Sequence, residues 1–153
     1  MSHLTDRPSF LLSQLGFHVA GEFGRRLEPL GIRPRQFGML TYVSTGENVT
    51  QQELGERLGI HRNVMVGLVD DLERRGLAER RRHPNDRRAY AVQLTDSGRD
   101  LLRRAGRIAD ELDAELLEDA DRPALVDLLR RASERAGLSY GVHPGLQVDP
   151  GSC

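Results

Sequence analysis

Five arginines, Arg80, Arg81, Arg82, Arg87 and Arg88, stand on either side of the triplet Pro84-Asn85-Asp86. A guanidinium is always charged and presents a planar fork of donors, which suits phosphate oxygens and the narrow, negative minor groove of DNA. The residues between the arginines set the geometry. Pro-Asn-Asp reverses the chain, and Ala89 to Leu94 alternates small or apolar with polar side chains, as a half-buried strand does. The charge therefore sits on a protruding hairpin. A solvated charged turn would have the same composition, so the decision rests on what precedes it.

Upstream, Thr50-Gln51-Gln52-Glu53 forms a capping box, in which Thr and Glu side chains satisfy the amides at a helix start. Leu54 and Leu58 then share a face, and Gly59 ends the helix. After the short turn Gly59-Ile60-His61, a second amphipathic run carries Val64, Leu68, Val69 and Leu72 as far as Gly76. Two helices joined by a glycine-containing turn can place the second helix in a major groove. Such a pair also occurs as plain helix packing. Followed directly by a basic hairpin, it specifies a winged helix-turn-helix.

Length and charge fit that unit. The 153 residues make one domain, with no room for a separate catalytic one. The net charge of −1 excludes a protein that coats nucleic acid indiscriminately. Its distribution is uneven: residues 57–93 hold nine arginines against five acids, whereas residues 94–136 hold eight against eleven. The positive surface is thus local, as a docking face requires. Every basic residue other than histidine is arginine.

Other chemistries find little support. No Ser/His/Asp arrangement or phosphate-cradling glycine loop occurs, so neither catalytic residues nor a cofactor is expected. His3, His61, His83 and His143 lack metal-ligand spacing. The single Cys153 lies in a Gly/Pro tail and reads as a bystander. No apolar stretch approaches the ~20 residues that span a bilayer, and no signal segment opens the chain. A cytoplasmic protein without membrane partners is expected.

The flanks are helical. Phe10, Leu11, Leu12, Leu15, Val19, Phe23, Leu27 and Leu30 recur at helical spacing. A second helix starts at Pro34, buries Phe37, Leu40 and Val43, and stops near Gly46. Beyond the hairpin, Thr95 caps a run through Leu101, Leu102, Ala105, Ile108, Leu112, Leu116 and Leu117, and Asp121 with Pro123 opens a last helix. The expected fold is mainly α with a small β-hairpin wing. Residues 8–33 form an N-terminal dimerisation helix, 34–94 the DNA-binding lobe, 95–136 the C-terminal dimerisation helices and 137–153 a poorly ordered tail. A winged domain does not need these terminal helices, which points to a homodimer placing two recognition helices on a two-fold site.

Taken together, these stretches resemble the MarR family of bacterial transcription regulators. The resemblance covers about residues 8–136. It rests on the helix pair Thr50–Gly76, the junction Leu72-Glu73-Arg74-Arg75-Gly76-Leu77, and Asp86-Arg87-Arg88 followed by Val92-Gln93-Leu94-Thr95-Asp96-Ser97-Gly98. It implies an obligate dimer on double-stranded DNA, with Arg88 in the minor groove and Asp86 fixing the Arg88 side chain. Arg62, Asn63 and Val66 then face the major groove, Gln51 and Gln52 meet phosphate, and His83, Asn85 and Arg87 complete the wing contacts. Asn63 has two readings, an adenine contact and a helix cap. The chain departs from the family at Gly67 and at Asp71, the latter a charge expected to repel phosphate. Relatives respond to small, often anionic or phenolic molecules, for which Phe17, His18, Arg25, Met39 and Tyr42 are the candidate contacts. The implied function is a sequence-specific DNA-binding regulator, a repressor on a palindromic operator released by a small ligand. The alternative is a winged-helix dimer acting as a protein-interaction scaffold.

Overall fold

The computed structural model describes residues 3–117, 121–138 and 143. Most of the tail expected to be poorly ordered, Cys153 included, lies outside the described residues.

Helix α1 (Pro8–Leu27) has proline at its first turn, where no intrahelical N–H is needed. The apolar repeat continues to Leu30, but the helix stops at Leu27 and Glu28–Leu30 forms a 3₁₀ turn. Pro29 is the cause, because it has no N–H to give and its ring crowds the preceding turn. Gly31, at φ 67°, then redirects the chain. Helix α2 (Pro34–Thr45) follows and crosses α1 at Phe23 and Phe37, whose rings meet edge to face at 5.3 Å.

The capping box closes as expected on α3 (Gln51–Leu58). Thr50 Oγ1 accepts the Glu53 amide at 3.1 Å, and Glu53 Oε2 accepts the Thr50 amide at 2.9 Å. Gly59 sits at φ 63° and ends α3, and α4 (Arg62–Arg74) begins three residues later. Its buried stripe is Met65, Val69 and Leu72, with Val64 and Leu68 half-buried beside it. The expected stripe began at Val64; one residue of rotation puts Met65 innermost instead.

Strands β1 (Ala78–His83) and β2 (Asp86–Leu94) pair antiparallel from Ala78↔Leu94 to Arg82↔Tyr90. The register then slips, and His83 pairs with Asp86. Arg87, Arg88 and Ala89 are consequently bulged out on one strand, which increases local twist and re-aims their side chains. Ala91 is buried, breaking the expected alternation, because Thr50 bridges to it and the Val92 amide donates to Val49 O at 2.8 Å. The hairpin is thereby stitched to the start of α3.

Helix α5 (Asp96–Leu116) opens on Thr95, whose hydroxyl accepts the Gly98 amide at 3.0 Å and donates to Gly76 O at 2.6 Å. A Cβ at Gly98 would lie 1.9 Å from Leu77 O, so only glycine lets α5 approach the hairpin base this closely. The core gathers Leu27, Met39, Leu40, Leu54, Met65, Val69, Leu72, Val92 and Ala105 from all these elements except β1, which adds Ala78. Helix α6 (Arg122–Arg135), capped by Asp121 Oδ1 on the Ala124 amide, buries none of its residues. No described helix is long and apolar enough to cross a membrane.

Candidate nucleic-acid interface

A groove of about 1130 Å³ runs between the first turns of α3 and α4 and the hairpin. Gln51, Gln52, Arg62, Val66, Asp86 and Arg88, all singled out from the sequence, line it together with Arg80 and Tyr90. Asn63, Asn85 and Arg87 are exposed outside that lining, and His83 is half-buried. Three successive elements, α3, α4 and the hairpin, therefore present polar and cationic side chains to one trough.

Local capping positions the key residues. His61, not Asn63, caps α4: its Nδ1 accepts the Asn63 amide at 3.3 Å. The Asn63 side chain is left exposed in the first turn of the recognition helix. His83 does the same at the wing, where its Nδ1 accepts the Asn85 amide at 3.1 Å. Asp86 Oδ1 accepts the backbone amide of Arg88 at 2.9 Å. Asp86 was expected to hold the Arg88 guanidinium; it holds the main chain instead, because the bulge turns that amide inward to the carboxylate.

The five arginines around the turn are not equivalent. Arg80 is only 20% exposed and is paired with Asp70 at 2.7 Å and with Glu73. Arg81 pairs with Glu79 at 2.5 Å. Arg82, Arg87 and Arg88, and Arg62 on α4, have no ion pair among the described residues. Around this groove, the arginines without an ion pair thus stand at the wing and at the start of the recognition helix. Sequence composition could not separate Arg80 from these, since the distinction depends on which strand face meets α4.

Asp71 also differs from expectation. Its carboxylate accepts from Gln36 Nε2 at 3.2 Å and pairs with Arg74 at 2.6 Å. It points toward α2, away from the groove, so it brings no repulsion to a bound phosphate. Gly67 faces open space.

The five residues considered for a small ligand do not converge. Phe17 is 88% exposed, whereas Met39 is fully buried in the core. His18 is exposed, Arg25 is paired with Glu22 at 2.6 Å, and Tyr42 lies under the Arg57 guanidinium at 5.9 Å. None of them lines the open cleft of about 1330 Å³ between α1, α2 and α4. That cleft has an apolar floor of Val19, Phe23, Ile32, Phe37 and Leu68 and arginines 33, 35 and 75 at its edge. The meeting of α1 with α2 at Phe23 and Phe37 that helps form it has no local sequence signal.

Comparison with known proteins agrees with this architecture. The MarR family pattern matches residues 30–89. A protein of Thauera aromatica named for transcriptional regulation of the hcr operon is 30% identical over 132 residues, 79% of this chain and 80% of that protein. The transcriptional repressor MprA of Escherichia coli K12 is 34% identical over 99 residues, 61% of this chain and 56% of MprA. CouR from Rhodococcus jostii RHA1, solved with p-coumaroyl-CoA, has a TM-score of 0.75 at 30% identity, covering 92% of this chain and 99% of that one. CouR on a 23-mer DNA duplex has a TM-score of 0.71 at 33% identity, covering 87% of this chain and 96% of that one. With its winged helix-turn-helix complete and relatives at this identity across most of both chains, the protein belongs to the MarR family of transcription regulators.

Proposed function

We propose that the protein is a sequence-specific DNA-binding repressor that acts as a homodimer on a palindromic operator. The observation that carries this reading is the groove in which Gln51, Arg62, Val66 and Arg88 face the same side, with unpaired arginines at both of its ends. α4 would enter the major groove and Arg88 the adjacent minor groove, while Gln51 and Gln52 meet the backbone. The solved complex of CouR with a 23-mer DNA duplex supports duplex DNA as the partner.

Two apolar faces support the dimer. Leu11, Leu12 and Leu15 of α1 are 40–49% exposed, and Val126, Leu128 and Leu129 of α6 are 38–56% exposed. In a lone chain these apolar side chains would meet water, and joining them to a second copy removes both faces from solvent. The terminal helices, 8–33 and 95–136, then serve dimerisation and 34–94 serves DNA.

The α1/α2/α4 cleft is the proposed effector site. Its apolar floor fits an aromatic acyl group, and Arg33 and Arg35 at its edge suit anionic phosphates, Arg75 being paired with Asp71 at 3.6 Å. The p-coumaroyl-CoA held by CouR supports a thioester of this type as ligand. The test is selection of duplexes from a random pool by the purified chain, followed by band shifts with aromatic acyl-CoA thioesters added. Recovery of a two-fold motif and its release by a thioester are expected. Failure to enrich any sequence would move the protein to the scaffold reading.

A further inference from the structure

We propose that Arg80 is a positioning residue for DNA binding, which spends its charge inside the protein to aim Gln51 and to lock the wing to the recognition helix. This rests on the DNA-binding reading above. The Arg80 guanidinium donates from Nε and Nη2 to Gln51 Oε1 at 3.1 and 2.9 Å. Nη2 also reaches Asp70 at 2.7 Å and Val66 O at 3.5 Å, while Nη1 bonds Glu73. The backbone amide of Arg80 donates to the same Glu73 carboxylate at 2.7 Å. One side chain on β1 thus ties the first residue of α3 to two turns of α4.

Two features separate this from a phosphate contact. An arginine that binds phosphate presents an open fork, whereas here the fork is filled by an amide and two carboxylates. Those carboxylates take up its charge and its donors, so Arg80 itself offers a phosphate no open fork. The second feature is the Gln51 amide. With guanidinium donors on one side, only the oxygen can face Arg80, and the two Nε2 donors must turn outward. Gln51 lines the DNA-facing groove, so Arg80 fixes a neutral donor where a phosphate oxygen would lie.

The test uses the full chain and a duplex selected by the wild type from a random pool; failure to select one sinks the DNA-binding reading and leaves nothing to position. With the duplex in hand, affinity is measured against salt for Arg80→Gln, Arg80→Lys and Gln51→Ala, with melting curves for each. Arg80→Gln should lose roughly tenfold or more in affinity with an unchanged salt slope, since no counterion-releasing contact is lost. Lysine should not rescue it, because a single ammonium cannot hold Gln51 and Glu73 together. Gln51→Ala, which leaves both Arg80 carboxylate pairs in place, should weaken binding without altering the melting curve, and this loss should largely vanish in the Arg80→Lys background. A salt slope reduced by about one per subunit, full rescue by lysine, or wild-type affinity of Gln51→Ala would each overturn the proposal.

Discussion

Asp86 governs Arg88 through the main chain: its carboxylate accepts the Arg88 amide at 2.9 Å, and the Arg88 guanidinium has no acidic partner among the described residues. The bulge at the wing is therefore tethered while its cation stays available. Arg88→Ala should leave the melting curve unchanged, since the residue is exposed, and weaken operator binding by roughly 2–6 kcal/mol for two copies at ~1–3 each. Asp86→Asn keeps an acceptor for the amide and should bind nearly as wild type, whereas Asp86→Ala should lose affinity measurably. Equal losses for the two Asp86 variants would show that its charge, not its tether, matters.

Glycines 67 and 98 should respond oppositely to alanine. At Gly98 the new methyl would overlap Leu77 O, so the α5 start must move and stability should fall by about 2–3 kcal/mol or more. At Gly67 nothing lies within 4 Å, and alanine should stabilise the exposed helix by up to ~1 kcal/mol. Thermal melting reads both; a neutral Gly98→Ala would contradict the close approach of α5 to the hairpin base.

Acid should act through the link between α1 and α5. The Glu22 carboxyl is held from 4.5 down to about 2, first by its hydrogen bonds from Arg25 and then by those from Arg26. Arg26 also clasps Glu115 at 2.9 and 2.5 Å and lowers its pKa in the same direction. A depressed carboxyl contributes stability above its unfolded pKa and loses it as pH falls through the folded value. Glu22→Gln should accordingly be less stable than wild type at neutral pH, with the difference closing between about 4.5 and about 2. Added salt should shrink it as well, because the pair is at the surface. Urea midpoints at several pH values measure this, and a pH-independent difference would refute the ion-pair origin.

Assembly is checked by sedimentation. The wild type should run at twice 17.1 kDa. Leu12→Glu with Leu128→Glu places charge on both exposed apolar faces and should give a monomer or an unfolded chain, as obligate dimers often have no stable monomer. A folded dimer carrying both substitutions would remove these faces from the interface.

What could be read from the sequence was local. Thr50 with Glu53, Gly59, Gly76, Pro34, Thr95 and Asp121 each mark a helix end within four residues of themselves, and each end lies where expected. Pro29 was equally local, yet the apolar repeat running past it to Leu30 masked the stop. Contacts between elements were not legible. Arg80 and Arg88 look alike in composition, but the pairing of β1 against α4 buries one and the bulge in β2 frees the other. Asp71 belonged to the DNA-facing helix by spacing, and only the seat of α4 against α2 shows it turned to Gln36. The cleft lined by α1, α2 and α4 depends on three helices meeting, which no single stretch encodes.

Thr95 joins the exit of the recognition helix to the entry of α5, since one hydroxyl serves both Gly76 O and the Gly98 amide. With Gly98 pressed on Leu77, that joint has no slack and α5 behaves as a rigid lever fixed at the base of the wing. Its 21 residues make an arm of about 30 Å. A tilt of about 5° at the fulcrum moves the far end by about 2–3 Å on an arm of that length, and there Arg26 of α1 grips Glu115. Leverage runs equally in reverse, so a small displacement of α1 against α5 would reach the exit of α4 as a rotation about Thr95.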